Sequence, residues 1–162
     1  MKRTRGFARC LMLGALVCPI VYGQPLRLVM VRGSSMNPNY SDFSVVLATT
    51  KFNPEAIRRD DIVVFHHDGQ RYIKRVGFVG GDSIKGINIA RNSHESCWQW
   101  LYYPVPAKSP NHFGSRYFKI PPETFFALSD NSSCATDSRS LGPIPLSDVE
   151  SVVVNPAPNP NV

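Results

Sequence analysis

From residue 26 onward the chain is built of short apolar runs rich in β-branched residues, separated by turn signals. The runs are LRLVMV, FSVVLA, DIVVFH, YIKRVGF, DSIKGI, RYFKI, FFALSD and VESVVV. No window of a dozen residues repeats apolar positions at helical spacing, and the chain contains 14 prolines. The pattern predicts a mainly β domain of antiparallel sheets or a β-barrel, with at most one helical turn near residues 54–59.

Residues 88–116 differ from these runs because they are aromatic and rich in proline, with little alternation. A long segment of this kind is typical of an insertion or a surface excursion. The total of 162 residues is enough for one domain and a short appendage. We therefore predict one domain over residues 26–154, with an insertion over about 88–116, followed by a proline-rich, solvated tail at 155–162.

The first 25 residues combine a basic start with an apolar run. Four Lys or Arg residues lie among the first nine positions, and residues 10–26 carry no charge. Seventeen helical residues reach about 26 Å, close to the thickness of a hydrocarbon core. Because basic flanks stay in the cytoplasm, we predict a retained single-pass anchor in the plasma (inner) membrane and an extracytoplasmic domain. A cleaved signal peptide ending near Gly23 is the alternative, and both interpretations export residues 24–162.

The net charge of +6 does not indicate a nucleic-acid-binding face. The basic start carries +4 of it, and the other 14 Lys and Arg residues are nearly balanced by 12 Asp and Glu residues. No zinc spacing, P-loop, GxGxxG or GxSxG motif occurs. We therefore expect no nucleic-acid partner, no metal and no nucleotide cofactor.

Two residues are candidates for chemistry, Ser35 in VRGSSMNP and Lys74 in RYIKRVGFVGGDSI. On a strand, Lys74 shares a face with Tyr72 and Val76, where loss of hydration would lower the pKa of the amine toward neutrality. A neutral amine can serve as a general base. Ser35 lies in a turn that ends at Pro38, which would present its hydroxyl beside backbone N–H groups. Without further context, a single serine and a single lysine are far more often surface residues.

Four blocks of the chain resemble, in order, the motifs of the type I signal peptidases, which are membrane-anchored Ser/Lys proteases of bacteria and of the mitochondrial inner membrane. GSSMNP at 33–38 is similar to the serine box, and RRDDIVVF at 58–65 to the strand that follows it. YIKRVGFVGGDSI at 72–84 resembles the lysine box, and SDNSSCATDSRSLGPIP at 129–145 resembles the last box. The resemblance implies the family's catalytic β-barrel of antiparallel sheets beside the membrane.

By this resemblance, Ser35 is the nucleophile that attacks the scissile carbonyl, and Lys74 takes the serine proton and later returns it to the leaving amine. The backbone amide of Ser35 would hold the oxyanion, supported by the preceding Gly33 and Ser34. The implied substrate is an exported preprotein with small residues at the first and third positions before the cut. No cofactor is implied.

Other matched positions are expected to support this chemistry. Shallow apolar pockets for small residues would be lined by Met36, with Ile73 or Val76. An ion-paired scaffold is expected to set the lysine strand against the serine loop, and its members are Arg75, Asp130, Asp137 and Arg139.

The chain also departs from the family pattern. Ala135 stands where many members have a serine that hydrogen-bonds the lysine amine, Gly33 where one branch has a second oxyanion donor, and Ser129 and Asp60 where glycine is usual. Ala135 and Gly33 keep open the alternative of a non-catalytic exported β domain that binds peptides. The small size of the chain keeps open a second alternative, a processing peptidase dedicated to a conjugation or pilus system.

Cys97 and Cys134 are the two cysteines of the exported part. They could form a disulfide, but the spacing of cysteines in a sequence does not decide whether two of them pair.

Overall fold

The computed structural model describes residues 25–89, 99–104, 115–132 and 135–160. The predicted membrane anchor, the Cys97–Cys134 pair and much of the predicted insertion lie outside these ranges. No helix within the described ranges is long and apolar enough to cross a membrane.

The described residues form a seven-stranded sheet and a three-stranded sheet, and every strand pairing in them is antiparallel. The strands are β1 (Leu26–Met30), β2 (Val45–Thr49), β3 (Ile62–His67), β4 (Gln70–Val79), β5 (Ser83–Ile89), β6 (Gln99–Pro104), β7 (Ser115–Lys119), β8 (Thr124–Leu128), β9 (Ile144–Pro145) and β10 (Val149–Val153). The larger sheet has the order β1-β2-β10-β3-β4-β8-β9, and the smaller has the order β6-β5-β7. A short helix α1 (Ser138–Leu141) and two 3₁₀ turns, Pro54–Ala56 and Leu146–Asp148, complete the elements.

The prediction of a mainly β, antiparallel class is confirmed, since each of the predicted runs forms a strand. The expected helical turn near residues 54–59 is a 3₁₀ turn at Pro54–Ala56. The expectation of at most one helical turn is wrong, because α1 and the 3₁₀ turn Leu146–Asp148 also form. Within the described ranges no pairing joins the edge strands β1 and β9.

The segment expected to be an irregular excursion contains strand β6. Its six residues pair with β5 from Ile84 opposite Pro104 to Ile89 opposite Gln99. The sequence did not reveal this strand because pairing with β5 supplies its backbone hydrogen bonds without requiring an alternating pattern of its own. The structure therefore differs from the expectation at 99–104, where the chain is part of the smaller sheet.

The larger sheet has apolar residues packed on both faces at β3 and β4, because alternate side chains of a strand point to opposite sides. Val64 and its cross-strand partner Ile73 belong to one buried cluster, whereas Val63 and Phe65 belong to another. Lys74 pairs with Val63. Lys74 thus lies in the middle of β4, and most residues around it on β3 and β4 are buried and apolar.

Residues 155–160 lie against the domain rather than extending into solvent. The Ala157 amide donates to Tyr40 Oη at 2.9 Å, and the Ala157 carbonyl accepts from Arg75 Nη1 at 2.9 Å. Prolines exclude helix and ladder hydrogen bonds, but their carbonyls remain good acceptors. A proline-rich composition was therefore a poor guide to solvation here.

Candidate active site

Ser35 lies in the turn between β1 and β2. Gly33 begins the turn at φ +83°, a left-handed conformation that favours glycine, and its amide donates to Asp42 Oδ1 at 2.8 Å. Met36 is fully buried and anchors the turn in the core, and its carbonyl accepts from the Tyr40 amide at 2.9 Å. With these contacts in place, Ser35 is half-buried.

Lys74 reaches Ser35 from the middle of β4. Its Nζ donates to Ser35 Oγ at 2.6 Å, and the residue is only 5% exposed. Burial lowers the pKa of Lys74 from 10.5 to about 8, while the charges of Asp137 and Asp130 act in the opposite direction. A substantial fraction of the amine is therefore neutral near that pH, as a general base requires.

A buried ion pair joins the lysine strand to the segment that contacts the serine turn. Arg75 forms two parallel hydrogen bonds with Asp130, Nε to Oδ1 at 2.7 Å and Nη2 to Oδ2 at 2.8 Å. The next residue, Asn131, donates its amide to the Ser35 carbonyl at 2.9 Å and its side chain to the Ser34 carbonyl at 3.2 Å. The pair thus fixes the serine backbone relative to β4.

A second ion pair shapes the last box. Asp137 is fully buried and binds the Arg139 guanidinium, with Oδ2 at 2.6 Å from Nη2. Its carboxylate also caps α1 by accepting the Arg139 amide and accepts the Ser129 amide, both at 3.0 Å. The four residues expected to form an ion-paired scaffold are therefore paired as Arg75–Asp130 and Arg139–Asp137.

Asp60 stands where glycine is usual in the family, and its backbone conformation explains why glycine suits this position. Asp60 has φ +72°, in the left-handed region where glycine is favoured, and aspartate tolerates that region better than most residues. Its carbonyl accepts from Arg75 Nη1 at 2.9 Å. The unusual backbone thus directs an acceptor to the buried guanidinium.

Two cavities, of about 290 and 280 Å³, flank the reactive pair. Both are bordered by Arg32, Ser35, Tyr72 and Lys74. The remaining walls of the first are Val29, Met30, Val64, Arg71 and Ile73, and those of the second are Gly33, Ser34, Ala135 and Thr136. An extended peptide could therefore pass the hydroxyl with residues on either side of it.

Of the three expected pocket residues, Ile73 borders the first cavity. Met36 and Val76 are fully buried in separate core clusters and border neither cavity. Met36 fills the core from the serine turn and Val76 fills it from β4, and their expected role in substrate binding stays a prediction. Val29 and Val64 supply the apolar wall instead.

The amides around Ser35 differ in their availability to a ligand. The Gly33 amide is already bound to Asp42, whereas the Ser35 amide makes no hydrogen bond to another described residue. Ser34 contributes its carbonyl to Asn131. The Ser35 amide is thus the better-placed donor for an oxyanion.

Sequence reasoning missed several residues of the site. Asn131 lies within the matched last box, next to Asp130, so its position in the motif could have identified it as a site residue. Arg32 borders both cavities, and the Tyr40 amide binds the Met36 carbonyl. Asn39 Nδ2 donates to Asp130 Oδ2 at 2.9 Å. These three residues carried no signal in the sequence. Among the residues that the structure describes, no group of three or more His, Cys, Asp or Glu side chains could hold a metal ion.

Comparison with known families shows the family to which the chain belongs. A family model described as signal peptidase, peptidase S26, matches residues 4–156, which include the serine turn, β4 and the last box. Members of this family are serine peptidases. A comparison with curated proteins finds no match. Because the match covers nearly all of the chain, the protein belongs to the signal peptidase family.

Proposed function

We propose that the protein is a type I signal peptidase, a serine endopeptidase that removes signal peptides from exported preproteins after small residues. The observation that carries the proposal is the 2.6 Å contact between Lys74 Nζ and Ser35 Oγ. A buried lysine with its pKa lowered to about 8 supports a role as general base. The family match supports peptide hydrolysis.

In the acylation half-reaction, the neutral Lys74 amine accepts the hydroxyl proton while Ser35 Oγ bonds to the scissile carbonyl carbon. The Ser35 amide donates to the oxyanion. The Lys74 ammonium then gives its proton to the departing amine, the C–N bond breaks, and the signal peptide is left as an ester on Ser35.

In the deacylation half-reaction, water attacks the ester carbonyl while Lys74 accepts one of its protons. The C–O bond to Ser35 breaks, the serine oxygen recovers the proton from Lys74, and the signal peptide leaves with a free carboxyl group. One residue therefore acts as base and acid in both halves, which requires a pKa close to the working pH.

A preference for an apolar residue before the cut has support in the walls of the first cavity. Val29, Val64 and Ile73 line this cavity of about 290 Å³ beside Ser35. Apolar walls favour an apolar side chain next to the scissile bond. We assign the residue before the cut to this cavity.

The proposal includes a place at the plasma (inner) membrane, with the domain on the extracytoplasmic side. β1 follows the apolar N-terminal run directly, and both β1 and β2 carry exposed large apolar side chains, of which Leu28 is 76% exposed. The others on these two strands are Leu26, Met30, Val45 and Leu47. Such a patch is typical of a surface that meets a bilayer or a protein. Facing the bilayer, it would hold the site where signal peptides emerge.

The test is cleavage of a preprotein by the purified full chain in detergent, with the cut located by mass spectrometry. We expect cleavage after a small residue, and a loss of kcat of about a thousandfold in Ser35→Ala and in Lys74→Met. Lys51→Ala, which changes an exposed lysine, is the matched control and should leave kcat unchanged. Circular dichroism checks that each variant is folded.

Normal turnover by Lys74→Met would refute the dyad. Cleavage of a single preprotein out of a varied panel would favour the dedicated conjugation or pilus peptidase. Binding of signal peptides without any cleavage would favour a non-catalytic domain.

A further inference from the structure

We propose that the segment 155–160, here called the C-terminal tail, is a positioning element that clasps the serine turn to the lysine strand at the buried Arg75–Asp130 pair. The catalytic consequence of this clasp rests on the proposed function, whereas the clasp itself does not. Five hydrogen bonds between the tail and the site carry the inference.

The tail completes the hydrogen bonding of the Arg75 guanidinium. Nη1 donates to the Ala157 carbonyl at 2.9 Å, and Nη2 donates to the Pro158 carbonyl at 3.4 Å. The remaining N–H groups go to Asp130 and to the Asp60 carbonyl. A guanidinium has five N–H donors, and its side chain is only 3% exposed here. Without the tail, two of these donors lose their protein acceptors.

The tail also binds the serine turn. Asn39 uses its side-chain NH₂ for the Pro158 carbonyl at 2.8 Å and for Asp130 Oδ2 at 2.9 Å. Tyr40 Oη accepts from the Ala157 amide at 2.9 Å, and its ring packs against the core cluster that contains Met36. Both residues lie on the turn that presents the nucleophile, so the tail touches the loop and the ion pair together.

The outer end of the tail is fastened separately. Asn159 Nδ2 donates at 2.8 Å to Oδ1 of Asp60, the left-handed residue whose carbonyl binds Arg75. The tail therefore follows a line from the turn, over the guanidinium, to the segment before β3.

A clasp of this kind acts on the distance between Lys74 Nζ and Ser35 Oγ. Arg75 is adjacent to Lys74 on β4, and the turn held by Asn39 and Tyr40 carries Ser35. Proton transfer requires the two atoms within hydrogen-bond reach, so a small displacement lowers the rate of the chemical step. No tail residue borders either cavity, so substrate binding should be little affected.

The experiment compares the full chain with a chain ending at Val154. A chain ending at Pro160 is the matched control, because it keeps all five tail contacts. Kinetics are measured at a temperature well below the Tm of each protein, so that a loss of global stability alone does not change kcat. For the shorter chain we expect kcat to fall about tenfold or more, with KM changed by less than about threefold.

A second readout needs no turnover. Amide hydrogen exchange should become about tenfold faster at Tyr40 and Asn131 in the shorter chain, since their amides bind the Met36 and Ser35 carbonyls. The control should match the full chain in both measurements. If the full chain cleaves no preprotein, the proposed function fails while exchange still decides whether the clasp exists.

Tyr40→Phe covers the case in which the shorter chain does not fold. This change removes only the hydroxyl that accepts from Ala157 and keeps the partly buried ring. We expect kcat to fall about threefold with faster exchange of the Tyr40 amide. The proposal would be overturned if hydrogen exchange or kcat were unchanged in the folded truncation or in Tyr40→Phe. It would also be overturned if either variant changed KM alone.

Discussion

Lys74 Nζ lies 2.6 Å from Ser35 Oγ although the two residues are 39 positions apart in the chain. The lysine comes from the middle of β4 and the serine from a turn between β1 and β2. The Asn131 amide holds the serine carbonyl, and the adjacent Asp130 is paired with Arg75, the neighbour of Lys74. The distance between the two atoms therefore depends on the contacts that hold the serine turn and β4 in place, and not on the two side chains alone.

The first prediction concerns the pH dependence of cleavage. Burial lowers the pKa of Lys74 to about 8, and only the neutral amine can accept the serine proton. We expect kcat/KM to rise about tenfold per pH unit below that value and to level off above it. Steady-state cleavage measured from mildly acidic to alkaline pH checks this, and a flat profile would exclude a lysine base.

The parts of the fold and of the site that could be predicted are those that a pattern in the sequence indicates. The strands were readable because β-branched runs alternate with turns, and the face shared by Tyr72, Lys74 and Val76 followed from strand geometry. The reactive pair required the ordered motifs, since neither periodicity nor composition distinguishes Ser35 from other serines.

The pairing within the ion-paired scaffold was not predictable. Four charged residues were expected together, but which aspartate meets Arg75 depends on the register of β4 against β8, which the sequence does not specify. The tail contacts were equally hidden, because Ala157 and Pro158 bind Arg75 through backbone carbonyls that every residue carries.

The second prediction concerns stability. The pKa of Lys74 is 10.5 when unperturbed and about 8 in the folded protein. Between these values the unfolded chain binds a proton that the folded protein does not, so stability rises with pH across this window. Below it, the buried charge costs about 3 kcal/mol. Urea unfolding should therefore show Lys74→Met to be more stable by about that amount at neutral pH.

The difference between Lys74→Met and the parent protein should disappear once the lysine is neutral in both states, above its unperturbed pKa of 10.5. Lys51→Ala, at an exposed position, should show no comparable pH-dependent gap. A gap for Lys74→Met that stays constant from neutral to strongly alkaline pH would contradict the lowered pKa.

The third prediction concerns the carboxylate that most opposes the effect of burial on Lys74. The Asp137 charge raises the pKa of Lys74, and the Arg139 charge lowers it. Asp137→Asn removes the first charge, keeps the shape and leaves the second unbalanced, so the pKa of Lys74 should fall further. The midpoint of the pH–rate profile should move to lower pH, and an upward shift in a folded variant would contradict this assignment.

The last prediction uses two buried serines near β8 that differ in their hydrogen bonds. Ser129 is 5% exposed and its Oγ has no hydrogen-bond partner among the described residues, whereas Ser138 Oγ accepts the Ala127 amide at 2.8 Å. A buried hydroxyl without a partner is destabilising, so Ser129→Ala should raise the free energy of unfolding by about 1 kcal/mol. Ser138→Ala leaves a buried strand amide unpaired and should lower it by about 1–3 kcal/mol. Urea unfolding of the two variants side by side measures both changes, and equal losses would show that the Ser129 hydroxyl has a partner in solution.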